Sequence, residues 1–350
     1  MSQKDYLSGN REKVVESLRK LMANLKVEAP DWSKTVHSLE VYSDLPENEC
    51  FAQVGKEIWR VSLKNGALEG GELQMPRREY TSFFQFNVGE ASYLAAGYPT
   101  ERSGRKYCSG ITVANLKETE ENRSIKVIME EDTKRGFQSL GIWAISPEPY
   151  QCLLVAAHSD IGIIGVPLEE LCGDGYVKID LNNLSQKRYL LYEKNKSREE
   201  HIRMTIAGER LYVAEGCKLF TIAQPDGERK KSPESFIKQL YHTYSQPVTA
   251  LGRDSHETIY TATLGGNLFE GKELYYHAEW LTLVTKIVPG TYNAEEGIFY
   301  QGKINNSISP VFFTDGKTER VISPSDVTVL DFSPRKGYLW MLTSEEVLFR

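Results

Sequence analysis

The chain has 350 residues, a formal net charge of -6, 11% aromatic residues, 27 glycines and 5 cysteines. That length buries a large core, and the aromatic and glycine content suits a β-rich protein with many turns. The charge gives no general drive towards nucleic acid or acidic membranes, and no apolar run of about eighteen residues is available to span a bilayer.

The first segment, MSQKDYLSGNREK, is polar and has no apolar signal region. The cysteines are odd in number, far apart and without a CxxC, which fits reduced thiols in an intracellular protein, cytoplasmic or nuclear. Asn10 is placed to cap a helix running to about Lys26, with Val14, Leu18, Leu21, Met22 and Leu25 on one stripe. Pro30, Asp31 and Trp32 end it. The apolar stripe docks either on the chain's own domain or on a partner. Residues 1–34 are therefore expected to be a helix and linker, and residues 35–350 a single larger domain.

From Thr35 onward the pattern changes to short apolar runs separated by turns. The cleanest stretch is Pro247–Gly271, PVTALGRDSHETIYTATLGGNLFEG, which reads as three short antiparallel strands. Its second strand starts with an apolar pair, and comparable landmarks start at Phe51, Tyr93, Leu153, Leu211, Ile259, Ile298 and Leu339. The intervals are 42, 60, 58, 48, 39 and 41 residues. The two long ones call for insertions at Pro99–Tyr107 and Glu169–Lys187. Runs at 84–88, 140–146, 202–208, 248–253 and 327–333 each lead into a landmark, as the first strand of a unit leads into the second. Ser232–Leu240 reads either as one or two helical turns or as the outer strand of the fourth unit.

A unit of roughly 40 to 50 residues with four strands is the period of a β-propeller blade. The chain resembles a seven-bladed β-propeller of the broad WD40-like type over about Thr35–Arg350, although the Gly-His and Trp-Asp dipeptides of that family do not occur in the blades. The resemblance implies a shape and assigns no function to particular residues. Thr35–Tyr42 is expected to pair with the last blade and close the ring. The alternative is that it forms the inner strand of the first blade, with six or seven blades in all.

The sequence carries no recognisable catalytic set. His37, His158, His201, His242, His256 and His277 form no HxH or HExxH, so no metal site is expected, and no other cofactor. His158-Ser-Asp160 reads as a polar turn, because neighbours on a strand point to opposite faces and cannot form a local triad. Gly173-Asp-Gly175 and Leu264-Gly-Gly-Asn267 read as hairpin turns, with no helix or P-loop lysine after them.

One constellation is electrostatic. Propeller topology places Arg102, Arg105 and Lys106, the connection with Arg77 and Arg78, and the connection with Lys134 and Arg135 on one face, with Tyr80 nearby. Arginine forks suit carboxylate or phosphate. Tyr241, His242 and Tyr244 are expected to line the same face as anchors. The fifth blade, with its short turns, is expected to be scaffold. These features point to a non-enzymatic interaction scaffold or adaptor, presenting its loop face to acidic segments of protein partners, as a subunit of a larger complex. A propeller hydrolase or lyase with its site at the central channel mouth is the alternative. Binding to phosphate backbones or lipid headgroups is disfavoured by the net acidic charge.

Overall fold

In the computed structural model, the described residues run from Val36 to Phe349. The larger breaks are at 41–48, 74–79, 117–124, 131–136, 145–151, 172–175, 180–189, 195–201 and 224–235. The expected helix of residues 10–26 lies outside the described residues.

The protein is an all-β propeller whose described strands fall into seven sheets. The first contains β1 (Val36–Glu40), β2 (Glu49–Val54), β3 (Glu57–Lys64) and β4 (Ala67–Leu73). The second contains β5 (Ser82–Val88), β6 (Ala91–Ser103), β7 (Lys106–Asn115) and β8 (Ile125–Glu130). The third is built from β9 (Phe137–Ala144), β10 (Cys152–His158) and β11 (Gly162–Pro167). A short helix α1 (Leu168–Leu171) and strand β12 (Tyr176–Ile179) intervene before its outer strand β13 (Leu190–Glu193). The fourth contains β14 (Ile202–Ala207), β15 (Arg210–Glu215), β16 (Lys218–Ala223) and β17 (Ile237–Thr243). The fifth contains β18 (Val248–Arg253), β19 (Ile259–Thr263), β20 (Asn267–Glu270) and β21 (Glu273–His277).

Each of these five contains a complete four-stranded antiparallel path, to which the second adds β12 as a fifth, parallel strand. The sixth sheet has β22 (Leu283–Tyr292) and β23 (Glu295–Ile304), the two-residue β24 (Ser307–Ile308), and the short β25 (Phe312–Thr314) and β26 (Glu319–Val321). The seventh has three strands, β27 (Val329–Arg335), β28 (Tyr338–Thr343) and β29 (Val347–Phe349). Among the described residues, the expectation of seven complete blades is thus corrected to five. Asn305 interrupts the sixth with a positive φ of 49°, and Pro310 stands just ahead of β25. Every landmark nonetheless falls on the second strand of its own sheet, and Ile237–Leu240 belongs to an outer strand rather than a helix.

The closing-strand expectation is also corrected. β1 hydrogen-bonds to β2, with Glu40 opposite Phe51, and is the inner strand of the first sheet. It lies beside β27 and β28 without joining their ladder.

The chain divides into two compact units. Residues 80–287 and 302–305 form one, and the remainder forms the other. In the first, the core sits between successive sheets. Leu154 and Ala156 of β10 pack on Phe86, Ala95, Ile111 and Val113 of the second sheet. Leu153, Val155 and Ala157 of the same strand pack on Ile202, Leu211, Val213 and Ile222 of the fourth. β15 repeats the device, with Tyr212 and Ala214 turned towards Val248 and Ile259 of the fifth. A strand buried on both faces must be apolar at consecutive positions, which is why the landmark is a pair and not an alternation. In the other unit, Phe299, Phe313, Phe332, Leu339 and Met341 form an equivalent core between the sixth and seventh sheets.

Both insertions exist. Pro99–Tyr107 lengthens the β6–β7 hairpin. The Glu169–Lys187 insertion sends β12 across to the second sheet, where it pairs parallel with β8, Tyr176 opposite Lys126 and Ile179 opposite Met129. A parallel partner needs a crossover, and this one covers the outer edge of the second blade.

Candidate interaction surface

β6 and β7 form the central hairpin of the second sheet. Among the described residues, β5 pairs with β6 as far as Gly97 and β8 with β7 as far as Cys108. After a register shift the hairpin continues with Glu101 opposite Cys108, Arg102 opposite Tyr107, and Ser103 opposite Lys106. At this end of the hairpin Arg102 and Lys106 thus lie on adjacent rungs. Arg77, Arg78, Arg105, Lys134 and Arg135 lie outside the described residues. Tyr80 is 3% exposed, so its ring is part of the core and not of a loop face.

The connections of the fourth and fifth sheets form a second surface. The β15–β16 turn is tied to the connection after β17. The amide of Tyr244 donates to the Cys217 carbonyl, and that of Val248 to the Gly216 carbonyl, both at 2.8 Å. The β19–β20 turn is tied on both sides. Leu264 N–H donates to the Pro247 carbonyl at 2.8 Å, Gly265 N–H to Thr282 at 3.3 Å, and Ala278 N–H to Gly266 at 2.9 Å. Gly265 and Gly266 take φ of 83° and 81°, a region that glycine enters without strain. A Cβ on Gly266 would lie 2.4 Å from the Ala278 carbonyl oxygen, so the close approach of the two loops requires glycine there. The last loop is fastened to the sixth sheet, because Thr282 donates through both N–H and Oγ1 to the Lys303 carbonyl, at 3.0 and 2.9 Å.

On this pinned framework Trp280 is 70% exposed and Leu264 42%. Ala278 and Leu281, on either side of the tryptophan turn, are buried. Sequence reading placed no function here. Its one signal was the Gly265-Gly266 pair, which marks close backbone approach as well as a hairpin.

The tyrosines expected as anchors are instead structural. Tyr244 is buried, its hydroxyl donating to the Gly271 carbonyl at 3.0 Å and sharing a 3.1 Å contact with the Thr261 hydroxyl. Burial raises its pKa above the usual phenol value, and Thr261 partly offsets the rise. His242 meets its ring edge-on at 4.5 Å. Tyr241 packs edge-to-face on Tyr212.

His158, read as part of a polar turn, ends β10 and is fully buried. Its Nε2 shares a 3.0 Å hydrogen bond with Oγ of Ser109 on β7, 49 positions away. Burial, with the Lys194 ammonium as the second cause, pushes the imidazole down to about 4. The ring is thus neutral at pH 7. A serine beside a neutral imidazole has the separation of a nucleophile and its base. Ser109 is 1% exposed and His158 0%, however, so the pair bridges the second and third sheets out of contact with solvent. Arg203 on β14 donates through Nε to the Thr249 carbonyl at 3.1 Å, which ties two inner strands. Among the described residues no group of three or more His, Cys, Asp or Glu side chains is placed to hold a metal ion.

No family model and no curated protein matches the chain. Solved structures do. BBS1N in complex with ARL6DN aligns with a TM-score of 0.50 at 12% identity, over 89% of this chain and 90% of that one. Virginiamycin B lyase from Staphylococcus aureus aligns with a TM-score of 0.51 at 9% identity, over 91% and 94%. At such identities the likeness is one of fold, and the class it defines is the β-propeller. Among the described residues no helix is long and apolar enough to cross a membrane.

Proposed function

We propose that the chain is a WD40-like interaction propeller. It acts as an intracellular adaptor that presents its loop face to protein partners. The observation that carries this reading is the end of the β6–β7 hairpin, where Arg102 and Lys106 lie on adjacent rungs past the last described rungs of β5 and β8. Loops and hairpin ends carry binding residues more often than the ladders that support them, and arginine forks suit an acidic partner. Arg105, Lys134 and Arg135, with Arg77 and Arg78, extend the same basic character along the sequence. Cys217 is a free thiol, in keeping with a reducing compartment. BBS1N, which shares the fold, is itself seen with a protein partner.

The test is a titration of the full chain with a fluorescent Asp- and Glu-rich peptide, repeated on the Arg102→Ala, Arg105→Ala, Lys106→Ala triple variant. The expected result is binding that weakens about tenfold in the variant and falls with added salt. Equal binding by both proteins would remove the hairpin end from the partner surface.

A further inference from the structure

We infer that the outer edge of β8 is a docking site for an extended segment of a partner protein, and that β12 is the chain's own occupant of that site, which the partner segment replaces. This goes beyond the basic end of the β6–β7 hairpin and uses a different part of the same sheet. β5 to β8 already make a four-stranded path without β12. Among the described residues the first, third, fourth and fifth sheets stop at four strands, so a fifth strand is not a requirement of a blade. β12 comes instead from the stretch between β11 and β13 of the third sheet. Four rungs hold it: Tyr176 opposite Lys126, Val177 opposite Val127, Lys178 opposite Ile128 and Ile179 opposite Met129. The pairing is parallel, the weaker kind per residue. The stretch is anchored in the third sheet, where Leu168 of α1 is buried in the same core as Leu154 and Ala156, and Leu190 of β13 packs against that core. Release of β12 leaves those anchors in place, and local openings of this kind lie at the low end of a protein's range of stabilities.

The occupant in place specifies the one that replaces it. A bare strand edge presents N–H and C=O groups that another extended backbone satisfies in register. The seated strand runs parallel to β8 and reads Tyr176-Val-Lys-Ile179, three of its four residues being aromatic or β-branched, the types that favour strands. The partner segment is therefore an extended one, parallel to β8, rich in valine, isoleucine or tyrosine over the same four rungs. It binds only molecules in which β12 has left the edge, so its apparent affinity is lowered by the fraction that is open.

The experiment titrates a fluorescent peptide with the sequence of residues 174–181, DGYVKIDL, against the full chain. Three proteins are compared: wild type, the Val177→Pro, Lys178→Pro double variant, and the Arg102, Arg105, Lys106 triple-Ala variant. Of two consecutive residues one turns its amide to β8, so two prolines remove that donor whichever it is and free the edge. The expected result is peptide binding at least about tenfold tighter to the proline variant than to wild type, because the internal competitor is gone. The triple-Ala variant should match wild type, and a peptide carrying proline at both positions should bind none of the three. Hydrogen exchange on wild type gives a reading that needs no variant, and it decides the matter alone if the proline variant fails to fold. With excess peptide, the amides of 176–179 should lose protection while those of 125–130 keep it. Binding that is absent from the proline variant or equal to wild type overturns the inference. So does binding lost on the triple-Ala variant, which would move the peptide to the basic hairpin end. Amides of β12 that exchange only with global unfolding, or protection gained on another strand, overturn it too and leave β12 as a fixed cover of the edge.

Discussion

The second and fifth sheets make the same meander by different means. In the fifth, every connection is short and bonded to its neighbours. Asp254 Oδ1 accepts from His256 and Thr258 N–H, each at 2.8 Å, across the β18–β19 turn, and the β19–β20 turn is fastened on both sides. In the second, the central hairpin continues past the last described rungs of β5 and β8, and the outer edge is covered by β12, a strand from the insertion between β11 and β13. The regular sheet was expected to be scaffold, and the irregular one to carry function. The comparison teaches that a regular sheet is not a fully buried one: Leu264 in a tight turn of the fifth sheet and Trp280 in the loop after it stay exposed.

The largest effect expected on this contrast comes from the core of the regular sheet. Leu268→Ala removes a buried β20 side chain and should cost about 2–5 kcal/mol in chemical denaturation. A loss below about 1 kcal/mol would show that the fifth sheet is loosely packed and its turns are not a rigid frame.

The next concerns the link between the second and third sheets. The folded-state pKa of His158 lies below its unfolded value of about 6.5, so the unfolded chain takes up the proton first as pH falls. The stability contributed by the neutral ring is complete above about pH 6.5 and is lost progressively down to about 4. Wild type should lose on the order of 3 kcal/mol more across that window than His158→Gln. Parallel pH profiles from urea titrations would show that the imidazole is not sealed between the sheets.

Smaller again is Tyr244→Phe, which deletes the hydroxyl joining the fourth sheet to Thr261 and Gly271 of the fifth. About 1 kcal/mol is expected from thermal or urea unfolding. The smallest effect is that of the Arg102, Arg105, Lys106 triple-Ala variant on stability, within about 0.5 kcal/mol, because a hairpin end past the last described rungs of β5 and β8 carries little of the fold. A drop of several kcal/mol would make the hairpin end structural and erase the contrast.

Much of this architecture was legible in the chain. The landmarks reached the second strand of each sheet because a strand buried on both faces has to be apolar at consecutive positions, a local signal that needs no partner to be read. The two long intervals announced the lengthened hairpin and the insertion carrying β12. Ile237–Leu240 stayed ambiguous, since an outer strand exposed on one side is apolar at only some positions and resembles a helical turn. Tyr244 and Tyr80 were misplaced for a related reason: a tyrosine suits both a core with a hydrogen-bond partner and a wet surface.

The sequence by itself thus determined the repeat, the strand class and the insertion points, because each follows from periodicity within one unit. Only the tertiary structure decided that β1 pairs with β2, that β12 crosses to β8, that Ser109 meets His158 and that Gly266 meets Ala278. Those pairings join residues far apart in the chain, and they depend on which hydrogen-bonding edge and which loop are brought within about 3 Å of each other, a choice made by the packing of successive sheets.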